Sequence, residues 1–201
     1  MARDKNEAIN SYITDMLALE DHIEKAVKAQ LTDLKDYPDV LAELRQFHHK
    51  IEHHLSDLRT LSDRRGAGGV VESVKRAGAA VAGAAAGLID LLRTEGLPKN
   101  LRDDYTAFNL ASIGYAMLHT TALALDDQEV AELSLQHYRD YTETVLQLNK
   151  LVPASVVRYL ELEGLPAREE AVQLASQHVQ DAWKQTSGRS PSPEPASARR
   201  L

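Results

Sequence analysis

Four prolines, Pro38, Pro98, Pro153 and Pro166, each fall between stretches in which apolar residues recur every three or four positions. That spacing is the period of an α-helix with one buried face, and proline marks where such helices start or stop. From about residue 4 to 34 the stripe is Ile9, Ile13, Met16, Ile23, Val27 and Leu34. Beyond the turn at 36–39, a second runs through Leu41, Leu44, Phe47 or His48, Ile51, Leu55, Leu58 and Leu61, ending at glycine-rich residues 64–69. A third, from about 101 to 125, carries Tyr105, Phe108, Ser112, Tyr115 or Ala116, His119 and Leu123. The fourth carries Val130, Leu133, His137, Tyr141, Val145, Leu148 and Leu151, and Pro153 separates it from short helices at 156–162 and 168–185. Two tight hairpins (4–64 and 101–151) joined by a long connection (66–100) have the connectivity of one class of four-helix bundle. The expectation is therefore one all-α domain over residues 1–185, with C-terminal helices at 154–185.

The connection and the ends of the chain add less. Residues 70–93 read as a helix of small residues in which Gly78, Gly83 and Gly87 lower the propensity but permit close backbone approach. A membrane-surface helix is the weaker alternative, with only Lys75, Arg76 and Arg93 as basic residues. The apolar run at 77–92 is too short to span a bilayer and contains Asp90. Residues 186–201, rich in Ser and Pro, have no apolar face and are expected to be disordered, with a docking role for a protein partner as the alternative. The charged N-terminus lacks the apolar core of a signal peptide, so the expected location is cytoplasmic. A net charge of −7 argues against gripping nucleic-acid phosphates. The absence of cysteine excludes disulfide scaffolds and thiolate chemistry, and no phosphate loop or nucleophile elbow is present.

The residues that interrupt the stripes are the informative ones. Glu20 stands in the middle of the first apolar seam, where a lone carboxylate costs several kcal/mol unless it is neutral, paired or metal-bound. Four of the eight histidines lie within residues 48–54. His48 is on the second seam with Glu52 four residues on, and His49, Glu52 and His53 are at helical contact spacing. Folding the first hairpin at 36–37 sets Glu20 opposite residue 53; counting the same depth down a third helix that starts near 102 reaches His119, with His137 about one turn away. One carboxylate–imidazole layer follows, with Glu20, His49, Glu52, His53, His119 and His137 as candidate metal ligands. His48 and Tyr141 would support them. Imidazole and carboxylate suit iron, manganese or zinc. The plainer alternative is an ion pair of Glu20 with His49 or His53 and no metal at all. His53 and His54 are adjacent and cannot both point inward.

The stretch from Tyr12 to Glu24, the helix from Phe47 to Leu58, the long connection, and the segments Leu135 to Asp140 and Val152 to Leu160 together resemble the ferritin-like superfamily. Within it, the likeness is to bacterial YciF-type stress proteins over about residues 5–162. That resemblance implies a protein concerned with iron in stress, with a di-iron site formed by one Glu from each of two helices and a Glu-x-x-His from each of the other two; the small-residue helix and the C-terminal helices suit a homo-oligomer. Glu20 fits the first position. The second helix has His49-x-x-Glu52 and His48-x-x-x-Glu52 instead, the third has Asn109 and Ser112 where Glu is wanted, and the fourth has Ser134-x-x-His137. A degenerate or rearranged site is therefore expected, or a helical interaction module without metal. His48-x-x-x-Glu52 also resembles hemerythrin-like domains, although the position five beyond His137 is Thr142 rather than Asp. Whether the chain is an enzyme is left open.

Overall fold

The computed structural model describes residues 4–32, 34–66 and 96–187, and the described residues form five helices with no strand. They are α1 (Lys5–Gln30), α2 (Pro38–Arg64), α3 (Leu97–Ala124), α4 (Gln128–Leu162) and α5 (Glu170–Ser187). The small-residue helix expected at 70–93 and the tail from 188 onward lie outside the described residues.

Local chemistry explains the boundaries. Pro38 sits in the first turn of α2 and Pro98 in that of α3, where a missing N–H leaves no hydrogen bond unmade. The side chain of Asp127 caps α4 by accepting from the Val130 amide at 3.3 Å. Gly66 closes α2 with a φ of 64°, a left-handed conformation that a Cβ would oppose.

Pro153 does not end a helix: α4 runs through it without a break to Leu162, in place of the expected stop and separate short helix. Proline in a helix interior removes one backbone bond and costs roughly 3 kcal/mol. Burial offsets that cost, since Leu148, Pro153, Ser155 and Val157 are all buried and the Tyr159 ring lies against Gly96 at the start of α3.

The long helices share one core, in which Ile9, Ile13, Ile23, Leu44, Phe47, Ile51, Leu58, Leu101, Phe108 and Tyr115 are nearly inaccessible. α1 packs on α2 and α3, and α4 packs on α3 and α2, with α5 laid against α4. Arg65 marks one end of the assembly: its guanidinium donates to Asn10 Oδ1 at 2.8 Å and to Asp127 Oδ2 at 2.7 Å. The finish of α2 thus lies beside the start of α1 and the finish of α3. At the other end Gln30, finishing α1, donates to Asp104 near the start of α3 at 2.8 Å. So α2 and α3 run in the same direction, and residues 67–95 connect opposite ends of the molecule.

Candidate functional site

Halfway along the core, Glu20 is completely buried. Neither of its oxygens is idle. The Tyr115 hydroxyl of α3 donates to Oε1 and the Tyr141 hydroxyl of α4 donates to Oε2, both at 2.6 Å. His54 Nδ1 of α2 stands 3.3 Å from Oε1, so all four long helices meet on this one carboxylate. Burial, reinforced by the adjacent carboxylate, pushes both phenols well above their ordinary pKa. They remain hydrogen-bond donors at any ordinary pH.

Two imidazoles extend the layer toward the surface. The rings of His54 and His137 stack with centroids 4.0 Å apart. His54 Nε2 lies 3.1 Å from Asp140 Oδ2, and His137 Nε2 lies 3.2 Å from Asp57 Oδ2, which His53 Nδ1 also approaches at 3.0 Å. Burial alone would lower the pKa of His54, but Glu20 and Asp140, one on each nitrogen, outweigh it and raise the value. For His137, burial and the neighbouring charge of His54 dominate over Asp57 and lower it. Of the stacked pair, His54 is the ring whose surroundings favour the charged form. Among the described residues the buried Nδ1 of His137 has no partner, as suits the lone pair of a neutral ring. Imidazole NMR is expected to show His54 titrating above the ordinary value near 6.5, and His137 still neutral where free imidazole protonates. The reverse order would refute this assignment.

The expected ligands divide between inside and outside. Glu20 and His137 share the layer, and Tyr141 joins it directly as a donor to Glu20. His49 and Glu52 are exposed, and the His53 side chain is 59% accessible; His54, its neighbour, is the inward one. His119 is one turn too deep, where its Nδ1 donates to the Ala131 carbonyl at 2.7 Å. The expected depth rests on a helix starting near 102, whereas α3 starts at Leu97, and those few residues amount to about one turn. That shift brings Tyr115 opposite Glu20. Asn109 is exposed and bonds the Tyr105 carbonyl, while the Ser134 hydroxyl bonds the Val130 carbonyl. Besides Tyr115 and His54, sequence reasoning missed Asp57 and Asp140, which are half-buried and carry no mark of their own on the apolar stripe.

A di-metal centre does not fit this interior. Among the described residues, the layer around Glu20 holds no second fully buried carboxylate; Glu20's oxygens already accept from two phenols, and Tyr115 occupies the place a third-helix carboxylate would need. A different group of donors converges one helical turn away, at the rim between α1 and α2. There Glu24, His48 and Glu52 each offer a ligand atom within 4.8 Å of the other two. His48 Nε2 lies 2.8 Å from Glu24 Oε1, and its Nδ1 lies 3.6 Å from Glu52 Oε2. Burial would raise the pKa of Glu24, but hydrogen bonds from His48 and Lys28 outweigh it and hold the carboxyl low.

No family model, curated protein or solved structure matches the chain. Among the described residues, no helix is long and apolar enough to cross a membrane.

Proposed function

We propose that this chain is a metal-binding helical bundle of ferritin-like connectivity that holds one divalent cation at its rim, with Glu24, His48 and Glu52 as ligands. The observation that carries this reading is the convergence of two carboxylates and an imidazole within 4.8 Å on facing helices. Three protein ligands leave coordination positions for water or a small oxygen-donor molecule. Two carboxylates and one imidazole suit manganese, iron or zinc. Without a metal, the same cluster is a surface ion-pair network anchored by Lys28, which lies 3.3 Å from Glu24. The parallel course of α2 and α3 supports the ferritin-like connectivity, and the phenol-capped Glu20 supports placing the cation outside the core.

Calorimetric titration of metal-stripped protein with Mn²⁺, anaerobic Fe²⁺ and Zn²⁺ separates the readings. One site per chain is expected, weakened roughly tenfold or more in His48→Ala and unchanged in Glu20→Gln. Absence of uptake would remove the metal function altogether. Uptake lost in Glu20→Gln and kept in His48→Ala would return the site to the interior.

A further inference from the structure

From Tyr105 to Leu125, along nearly all of α3, the chain contains no Asp, Glu, Lys or Arg. One side of that helix lies in the core, where Leu101, Phe108, Ala111, Tyr115, Leu118 and Ala122 are buried. The opposite side is exposed, through Thr106, Leu110, Ile113, Met117, Thr120 and Ala124. These positions follow one another by alternating steps of four and three. A 3.5-residue repeat of this kind is a seam that a second helix follows along its length. Leu110, Ile113 and Met117 are 41, 58 and 49% exposed, an apolar strip that marks an interaction surface.

The two halves of the seam differ. Toward the start of α3, Leu110 and Ile113 project from the surface. Toward its finish, Met117, Thr120 and Ala124 join Tyr12 of α1 in lining an open groove. Projection and groove are thus carried on one strip, and a second copy turned end over end brings each to the other, as a two-fold contact requires. Charge selects the same arrangement. Arg102, whose side chain is 57% exposed, stands at the start of the seam, and the exposed Asp126 just past its finish. Antiparallel copies set these opposite charges nearly level with each other, whereas parallel copies would set Asp126 against Asp126. Each copy also carries a net charge of −7, so contact costs least where neither brings a carboxylate. A lipid surface would call for basic residues, and the seam has none.

We propose that two copies of this chain associate through α3, antiparallel about a two-fold axis at the level of Tyr115. Ile113 then meets Met117 of the second copy, Leu110 meets Thr120, and Thr106 meets Ala124. Leu110 and Ile113 of each copy sit in the groove of the other.

In sedimentation the full chain is expected at twice its own mass, dissociating on dilution. Ile113→Lys and Leu110→Lys, at side chains that a single copy leaves exposed, should each weaken the dimer roughly a hundredfold or more with helicity unchanged. Gln136→Lys, on the exposed side of α4, should leave it intact. The absence of native cysteine lets the register be read directly. Ala116→Cys lies close to the axis and should link to its own counterpart through a short bismaleimide. Thr106→Cys, about 27 Å along the helices from its counterpart, should not. A monomer at every concentration, a dimer indifferent to both lysine variants, or equal linking at the two cysteines would each overturn the proposal. A Met117→Cys thiol that stays protected in the diluted monomer would overturn it too, since the cover would then come from within the chain.

Discussion

Glu20→Ala is expected to destabilise the protein by roughly 3–5 kcal/mol, among the largest effects of any single substitution in the chain. The loss comes from polar groups stranded without their acceptor. Removing the carboxylate leaves the hydroxyls of Tyr115 and Tyr141 and one nitrogen of His54 buried beside a cavity, and each stranded polar group costs about 1–3 kcal/mol. Tyr141→Phe alone, which removes one donor and leaves the carboxylate its other partners, is expected to cost about 1–2 kcal/mol. The two changes should not add, because the phenol loses its acceptor in the first variant. Urea denaturation of the two single variants and the double variant measures this. Additive losses would mean that the short hydrogen bonds contribute nothing beyond packing.

Asp104→Asn should act in the opposite direction and raise stability by roughly 2–4 kcal/mol at pH 8. Asp104 is buried where α1 meets the start of α3. Burial pushes its carboxyl up to about 7, against the opposing hydrogen bond from Gln30 and with help from Asp103. Its folded value exceeds its unfolded value, so the folded state binds the proton more tightly. The associated stability is complete below the unfolded pKa and is lost as pH rises toward 7. Asparagine keeps an acceptor for Gln30 Nε2 without an ionisable group. Thermal unfolding at pH 8 and pH 4.5 should therefore show a large advantage for the variant at pH 8 that shrinks on acidification. An advantage equal at both pH values would place its origin in packing rather than in charge.

The helices were legible because their stripes are long and proline and glycine punctuate them; α2 is the clearest case, entered at Pro38 and left at Gly66. Pro153 misled because a proline's local cost says nothing about the burial around it, and packing on both sides keeps α4 whole. Glu20 was legible as one charged residue on an apolar seam. Its partners were not, for different reasons. Tyr115 was displaced by about a turn through the misplaced start of α3, and a turn is the whole difference between Tyr115 and His119. His54 and His53 are adjacent and point about 100° apart, and the seam alone does not choose between them. Asp57 and Asp140 sit at helix edges, where carboxylates are ordinary, and only the three-dimensional pairing singles them out. Glu24 was equally silent in one dimension: its meaning comes from His48 on the facing helix.

The Glu20 layer draws its members from both halves of the molecule. Glu20 and His54 belong to the first hairpin, whereas Tyr115, His137 and Tyr141 belong to the second. Greasy faces alone would let the two hairpins slide past each other by a turn at little cost, as aliphatic side chains accept many neighbours. A carboxylate whose two oxygens each accept from a phenol of the other hairpin does not permit that slide. Mating of the halves is thus an all-or-nothing fit with a single alignment. Two separately made fragments, one ending after Gly66 and one beginning before Gly96, would find each other in one register or remain apart.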